Sequence, residues 1–280
     1  MKLKFIFFSF IAFCLVSCQK DFIAEENITL IVSPVPDSNY LHKIYAVEYT
    51  DTPGIITFKY DGNKRVKSII DSFDISPGSL PAVEIYTYFY NGSSEVPFKV
   101  VTYIIDPPGP DYTDSTYFFF DALNRKIRDS SSYSFLGDTT YDVYKYSYLP
   151  GSIIVDYKQY SNGVPPYYMS RDTLILSNSG NIITSKKYEW NGSVYVPGLI
   201  FNFTYDNFKS PFIKSNFKKV LFGSPYVGYG SDFYFGAYGN NNIVTTDSEN
   251  FQYLYNPAGY PVKKVTPQGD LNLHYTYKSL

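Results

Sequence analysis

The sequence predicts an all-β protein, a long antiparallel meander of about 14 to 16 strands that forms a strongly curved open sheet or a barrel-like one. Three observations lead to this fold class. Turn-forming residues recur about every fifteen residues, side chains between the turns alternate with a period of two, and no stretch after the N-terminal apolar segment has a convincing helical period.

Short segments along the chain carry residues that favour tight turns, because Gly, Asn and Asp tolerate a positive φ and Pro has a preset φ. These segments are Asp61-Gly62, Pro77-Gly78, Asn91-Gly92, Pro108-Gly109, 121–124, Gly137-Asp138, Pro150-Gly151, Asn162-Gly163, 178–180, Asn191-Gly192, Asp206-Asn207, 223–225, Gly239-Asn240, 256–259 and Gln268-Gly269. Their spacing leaves strands of up to about ten residues, and such short connections require consecutive strands to be antiparallel.

Between the turns, aromatic and β-branched residues alternate with other side chains. In residues 142–148, Tyr144, Tyr146 and Tyr148 lie on one side of the predicted strand and Lys145 lies on the other. The same alternation occurs in residues 56–60, 84–90, 201–205 and 273–277. Such patterns fit a pleated, half-buried surface, so they indicate β-strands.

Aromatic residues stand directly before alternate turns. They are Tyr60, Tyr90, Phe120, Tyr148, Tyr205 and Tyr255. Because strand direction alternates in a meander, alternate turns share one end of the sheet, and the sequence therefore predicts an aromatic row along one rim. Residues 190–197 also repeat the pattern of residues 90–97, which indicates an origin by duplication.

The segments that begin Tyr60-Asp61-Gly62, Phe120-Asp121-Ala122 and Tyr255-Asn256-Pro257 resemble the Tyr-Asp repeat of Rhs-type proteins. Together with residues 204–212, they resemble an uncharacterised group of Bacteroidota lipoproteins with a porin-like β-fold. The resemblance covers residues 40–280 and implies a fold and a cellular location. It implies no activity.

The first 17 residues predict a lipoprotein signal peptide. Lys2 and Lys4 precede an apolar stretch that is shorter than the roughly 20 residues needed to span a membrane. Leu15-Val16-Ser17-Cys18 resembles the lipobox of bacterial lipoproteins, which implies cleavage before Cys18 and attachment there of a diacylglycerol and an N-acyl chain such as palmitate. The alternative is an ordinary secretory signal in which Cys18 is incidental. Residues 18–39 are then a tether, and residues 40–280 a single β-meander domain with internal repeats.

Two further short motifs concern export. Gln19-Lys20-Asp21 resembles the surface-export signal of Bacteroidota lipoproteins and implies an outer-membrane protein that faces the cell exterior; attachment facing the periplasm is the alternative. Ser115, Thr139 and Thr173 each follow an Asp in a triplet that resembles the O-glycosylation signal of exported Bacteroidota proteins.

Composition excludes several classes of protein. The 31 Tyr and 23 Phe residues argue against disorder, and two Cys residues exclude a disulfide scaffold. Cys14 leaves with the signal peptide and Cys18 is acylated, so thiol chemistry is not expected. A net charge of −2 with only 18% charged residues argues against a nucleic-acid partner.

No catalytic, metal or cofactor site is predicted. His42 and His274 are the two histidines, and no Gly-x-Ser-x-Gly nucleophile motif accompanies them. The recurring Asp61, Asp121 and Asp206 stand at turns, where Asp caps its own backbone.

The favoured function is therefore a non-enzymatic binding module for a glycan or a protein. Exposed Tyr and Trp side chains present a flat apolar face with a polar handle, which suits stacking on sugars or peptides. Those in or near loops are Trp190, Tyr195, Tyr167, Tyr168, Tyr226 and Tyr229. A membrane-inserted β-barrel or pore is the first alternative, and a glycan hydrolase that uses two carboxylates is the second.

Overall fold

The computed structural model describes residues 40–48, 54–73, 82–105, 111–135, 138–161, 166, 168–214, 239–247, 249–265 and 271–280. The predicted signal peptide and tether, residues 1–39, lie outside the described residues. Among the described residues, no helix is long and apolar enough to cross a membrane.

Seventeen strands are present in the described part of the chain. They are β1 (Tyr40–Glu48), β2 (Gly54–Tyr60), β3 (Val66–Phe73), β4 (Ala82–Tyr90), β5 (Pro97–Ile105), β6 (Tyr112–Phe120), β7 (Lys126–Phe135), β8 (Asp138–Leu149), β9 (Ser152–Ser161), β10 (Tyr168–Leu176), β11 (Ile182–Trp190), β12 (Tyr195–Asn202), β13 (Thr204–Tyr205), β14 (Ile243–Thr245), β15 (Gln252–Tyr255), β16 (Pro261–Val265) and β17 (Leu271–Lys278). The predicted all-β class is confirmed.

All strands except β13 and β14 form one 15-stranded antiparallel sheet. Consecutive strands pair from β1 to β12 and from β15 to β17, and β17 pairs with β1. The predicted meander is thus confirmed. Of the two predicted forms, the sheet is the open one, because its edge strands β12 and β15 do not pair within the described residues.

Strands β13 and β14 form a second, two-stranded sheet that is hydrogen bonded to both edge regions. The Phe203 N–H, just before β13, donates to the Ile183 carbonyl of β11 at 3.0 Å. The Phe251 N–H, just before β15, donates to the Val244 carbonyl of β14 at 2.8 Å.

The main sheet has two chemically different faces, because successive residues of a strand point to opposite sides. One face, called here the core face, carries the buried hydrophobic side chains; the other is called the outer face. The first buried cluster consists of Leu41, Ile44, Phe58, Val66, Ile69, Tyr88, Val100, Phe118 and Phe212. The second consists of Tyr146, Ile153, Val155, Leu174, Ile182, Phe203, Ile243 and Phe251. Burying each large apolar side chain contributes about 1.5 to 3 kcal/mol.

Tight turns close the strand pairs at one end of the sheet, called here the turn rim. The Asp61 carboxylate accepts hydrogen bonds from the backbone N–H groups of Asn63 and Arg65 at 2.9 and 3.0 Å and pairs with the Arg65 guanidinium at 2.7 Å. Lys64 completes the turn with a φ of 62°. Asp121 makes the equivalent contacts with residues 123–125, so the predicted capping role of both Asp residues is confirmed.

Tyrosine hydroxyl groups at this rim connect neighbouring strands. The Tyr60 hydroxyl donates to the Leu41 carbonyl at 2.7 Å. Equivalent bonds run from Tyr90 to Val66, from Tyr148 to Lys126, from Tyr205 to Ile182 and from Tyr277 to Pro261. The predicted aromatic row along one rim is therefore confirmed for Tyr60, Tyr90, Tyr148 and Tyr205, and Tyr277 is a member that the sequence did not predict.

The arginine of one turn also contacts the aromatic ring of a neighbouring strand. The Arg65 guanidinium lies 4.2 Å from the centroid of the Tyr90 ring, and the Arg125 guanidinium lies 4.6 Å from that of Tyr148. Each such cation–π contact stabilises the rim by about 0.5 to 1 kcal/mol at an exposed site.

The matching segments 90–97 and 190–197 lie at opposite ends of the sheet. Residues 91–96 connect β4 to β5 at the turn rim, whereas residues 191–194 connect β11 to β12 at the other end. The two turns therefore share a local sequence but not a position in the repeat.

Replacing Tyr60 with Phe should lower the free energy of unfolding by about 1 kcal/mol, because the substitution removes the hydrogen bond to Leu41 and keeps the ring. Urea denaturation measures this change. Tyr141→Phe is the control, since Tyr141 is an exposed outer-face residue, and it should change the free energy by less than about 0.5 kcal/mol. Equal effects of the two substitutions would contradict the role of the rim hydroxyl.

Candidate functional site

The end of β9–β12 opposite the turn rim holds the candidate aromatic residues that the structure describes. Trp190 ends β11 and Tyr195 begins β12. Between them, the Asn191 side-chain oxygen accepts hydrogen bonds from the N–H groups of Ser193 and Val194, both at 3.0 Å. This tight turn places Trp190 and Tyr195 directly opposite each other across the two strands.

Trp190 and Tyr195 form an exposed cluster with two charged residues of the outer face. The rings of Trp190 and Tyr195 pack edge to face with centroids 5.2 Å apart. The Arg171 guanidinium lies 4.8 Å from the Tyr195 centroid, and its Nε donates to Asp156 Oδ1 at 2.7 Å. These four residues are called here the outer-face aromatic cluster.

The ion pair with Asp156 holds the Arg171 guanidinium in place. Arg171 and Asp156 are directly opposite each other in the pairing of β10 with β9. The hydrogen bond to Asp156 raises the pKa of Arg171, and burial raises the pKa of the Tyr195 hydroxyl. At neutral pH the cluster therefore presents a cation, a protonated phenol and an indole.

This arrangement suits recognition of a sugar. Trp190 retains 37% of its accessible surface, so its ring is available to a ligand. An aromatic ring can stack on the apolar face of a sugar, while guanidinium N–H groups not used by Asp156 can donate to a hydroxyl or a carboxylate. No covalent chemistry is needed for such binding.

Tyr168 lies on the core face and does not belong to this cluster. Its ring centroid is 5.7 Å from that of Tyr157, which in turn stacks on Tyr144 at 4.6 Å. The Tyr157 hydroxyl donates to Asp142 at 2.8 Å and the Tyr168 hydroxyl to Glu189 at 3.4 Å. The structure thus brings Trp190 and Tyr195 together and places Tyr168 in a row of packed tyrosines.

Several candidate residues lie outside the described residues. They are Tyr167, Tyr226, Tyr229, the lipid-attachment residue Cys18 and the export residues Gln19, Lys20 and Asp21. The O-glycosylation candidates Ser115, Thr139 and Thr173 all lie on the outer face, within β6, β8 and β10. Their modification stays a prediction.

The two histidines lie on paired strands, β1 and β17. Burial lowers the pKa of His42, and Lys278 and Lys43 lower it further. Burial and Lys263 likewise lower the pKa of His274. Among the described residues, no group of three or more His, Cys, Asp or Glu side chains is placed to hold a metal ion.

Sequence reasoning did not identify a pair of carboxyl groups on the core face. Asp71 of β3 and Glu84 of β4 stand directly opposite each other, and the Tyr86 hydroxyl donates to Glu84. Burial raises the pKa of Asp71 to about 6, and Glu84 contributes to the rise. The pair is on other strands and on the other face from the outer-face aromatic cluster.

Asp172 is a third carboxyl group that sequence reasoning missed. It is 1% exposed on the core face of β10, and its Oδ2 atom has no hydrogen-bond partner among the residues that the structure describes. Burial raises its pKa from 3.8 to about 7; Lys187, directly opposite on β11, opposes the rise, and Glu189 adds to it. The sequence offers one signal for this burial: with a period of two, Asp172 falls on the same face of β10 as the apolar Leu174.

Comparison with known proteins found similar chains among solved structures, at low sequence identity. No protein-family model and no curated protein matches the chain. A porin-like protein from Bacteroides vulgatus is 11% identical, with 86% of this chain and 100% of that chain covered at a TM-score of 0.48. A porin-like protein from Bacteroides uniformis is 16% identical, with 85% and 98% covered at a TM-score of 0.48. This similarity assigns no activity to the chain.

The buried Asp172 predicts a specific dependence of stability on pH. Because its folded-state pKa of about 7 lies above the unfolded value of 3.8, its stabilising contribution is complete below about pH 4 and is lost as the pH rises through 7. Asp172→Asn stays neutral throughout. We therefore expect the unfolding free energy of the variant, relative to the wild type, to rise between pH 4 and pH 8 by on the order of 2 to 4 kcal/mol.

Chemical denaturation across this pH range measures the effect. Asp71→Asn is the matched comparison. Because the pKa of Asp71 is about 6, the unfolding free energy of this variant should rise relative to the wild type over a lower pH range than that of Asp172→Asn. Parallel pH profiles for the wild type and Asp172→Asn would show that Asp172 titrates normally.

Proposed function

We propose that the protein is a non-enzymatic binding protein, anchored in the outer membrane through a lipid on Cys18 and facing the cell exterior, that binds a glycan at its outer-face aromatic cluster. The observation that carries the binding role is the pre-positioned contact of Arg171 with Tyr195 beside the exposed Trp190.

The tyrosines of the turn rim and those of the cluster differ in what their polar groups do. At the turn rim, Tyr60 and Tyr205 donate to backbone carbonyls of neighbouring strands and so maintain the sheet. In the described part of the chain, Tyr195 makes no such bond, and its ring contacts only cluster members Trp190 and Arg171 among aromatic and cationic side chains. This difference favours recognition over sheet building at Tyr195.

A glycan fits the cluster better than a protein ligand does. Protein interfaces are built around a large, dry apolar centre, whereas Trp190 and Tyr195 offer a small stacking surface next to the Asp156–Arg171 ion pair. The outer face next to Arg171 also carries the hydroxyl group of Thr173. Sugars combine apolar ring faces with hydroxyl groups, so they can use both features.

The anchor rests on the N-terminal sequence. Leu15-Val16-Ser17-Cys18 and the following Gln19-Lys20-Asp21 support lipid attachment and export to the surface. Each buried methylene of an acyl chain contributes about 0.8 kcal/mol, so two or three chains anchor a protein stably where one does not.

Replacing Cys18 with Ser should prevent lipidation and release the protein from the membrane fraction. Metabolic labelling with palmitate and fractionation of the producing cells measure both effects. Cys14→Ser is the control, because Cys14 lies within the predicted signal peptide and should leave labelling unchanged. Continued labelling of Cys18→Ser would contradict the proposed anchor.

Replacing Trp190 with Ala should weaken glycan binding at least about tenfold, which corresponds to about 1.4 kcal/mol, because the stacking surface is lost. A glycan array identifies ligands of the purified full-length protein, and titration calorimetry measures their affinity. Tyr45→Ala is the matched control, since Tyr45 is an outer-face tyrosine with Lys43 at 5.7 Å from its ring centroid but is located on β1.

The control should bind like the wild type. Binding that is unaffected by Trp190→Ala, or the absence of any bound glycan on the array, would refute the proposed site.

A further inference from the structure

We propose that the outer face of β5–β11 binds a polyanionic polysaccharide that crosses the strands and ends on the outer-face aromatic cluster. This inference rests on the proposed glycan-binding function and adds the chemical class of the glycan. Its basis is the distribution of charge between the two faces of the sheet.

Cationic residues of these strands lie mainly on the outer face. The strand pairing places on this face Lys99, Arg128, Lys145, Lys158, Arg171 and Lys186, one from each of β5 and β7–β11. Asp156 is the one acidic residue that the same pairing places there among the described residues of β5–β11. The outer face is therefore strongly cationic, although the whole chain has a net charge of −2.

Acidic residues of these strands lie on the core face instead. The pairing places there Asp114, Asp129, Asp142, Asp172 and Glu189. The same segregation continues beyond β5–β11, where Lys43, Lys59 and Lys263 lie on the outer face and Asp71 and Glu84 on the core face. Two of the core-face carboxylates are paired on that face, Asp129 with Lys126 at 2.9 Å and Glu189 with Lys187 at 3.2 Å. The excess of positive charge therefore remains on the outer face.

Among the described residues, the outer-face cations have few acidic partners. In the part of the chain that the structure describes, the Arg171–Asp156 contact is the one ion pair that any of these cations forms. Lys99 and Arg128 instead lie over aromatic rings, at 5.0 Å from the Tyr117 centroid and 5.3 Å from the Phe119 centroid. Like charges brought together without counter-charges repel one another, and an anionic ligand would relieve this repulsion.

The cations form a track that leads to the cluster. Arg128, Lys145, Asp156 and Arg171 are directly opposite one another in consecutive pairs from β7 to β10. Neighbouring strands are about 4.8 Å apart, so the distance from Arg128 to Arg171 across the sheet is about 14 Å. Arg171 contacts Tyr195, and a polymer that follows this track therefore reaches the stacking surface of Trp190.

Side chains between the cations favour a polysaccharide over an anionic membrane surface. Positions of the outer face next to the track include the hydroxyl residues Ser130, Ser147 and Thr173 and the apolar residues Val143, Ile154 and Met169. Hydroxyl groups can exchange hydrogen bonds with sugar hydroxyls, whereas burial in the lipid interface would leave them without partners. The rings of Tyr117 and Phe119, 43% and 45% exposed, stand singly beside cations and can stack on sugar rings.

The test compares a neutral polymer with charged ones, of which dextran sulfate shares its backbone. The purified Cys18→Ser protein, which lacks the proposed acyl anchor, is titrated with neutral dextran, with dextran sulfate, with polygalacturonate and with vesicles that contain phosphatidylglycerol. We expect binding to dextran sulfate and polygalacturonate that weakens as salt is raised, because the contacts are between exposed charges. Lys145→Gln and Lys158→Gln should each weaken this binding about two- to fivefold.

Lys64→Asn is the matched control. It also removes one exposed cation, but Lys64 is located in a turn at the turn rim, and its φ of 62° is one that Asn adopts readily. The control should bind the charged polymers like the wild type. Circular dichroism of all variants verifies that they are folded.

The outcomes separate this inference from the proposed function. If Trp190→Ala abolishes glycan binding while Lys145→Gln and Lys158→Gln leave it unchanged, or if dextran binds as tightly as dextran sulfate, the glycan site stands and the polyanion preference is wrong. If the vesicles bind more tightly than the polymers, the face is a membrane-binding surface and the inference is wrong. If no glycan binds at all, both proposals are wrong.

Discussion

The register of the 15-stranded sheet depends on the contacts at its turn rim. Asp61 and Asp121 cap their turns, and tyrosine hydroxyls such as that of Tyr60 donate to a carbonyl of the neighbouring strand. Because side chains alternate with a period of two, a slip by one residue would exchange the core and outer faces of a strand. In β8 it would bury Lys145 and expose Tyr144 and Tyr146, so the rim contacts also determine where the charges lie.

The candidate site is a consequence of this register. Arg171 meets Asp156 only because β10 pairs with β9 in the observed alignment, and Trp190 meets Tyr195 because residues 191–194 form a tight turn. Nothing in the site requires a loop to fold around a ligand. The residues of the cluster stand on hydrogen-bonded strands of the main sheet, so their arrangement does not depend on a ligand. A pre-formed site lowers the entropic cost of binding.

Features that depend on nearby residues could be predicted from the sequence, and features that depend on pairing could not. The strands and the aromatic rim follow from turn residues and from a period of two, both visible within about thirty residues. Arg171 and Asp156 became candidates only when the alignment of β9 with β10 was known. Tyr168, like Trp190, was predicted to be an exposed aromatic residue in or near a loop, yet its position in the pairing of β10 with β9 places it on the core face. The alternation of Lys145 with the tyrosines of β8 already indicated that this lysine lies on the face opposite theirs.

Separation of charge has opposite consequences for the two faces. On the core face, burial raises the pKa of Asp71 and Asp172. By taking up protons near neutral pH, these carboxyl groups avoid the desolvation cost of a buried negative charge. The outer face instead gathers lysines and arginines, whose ammonium and guanidinium groups are cations. They remain charged and repel one another. A surface that retains this repulsion across seven strands, with exposed aromatic rings among the charges, is better explained by binding of an anionic polymer than by any contribution to folding.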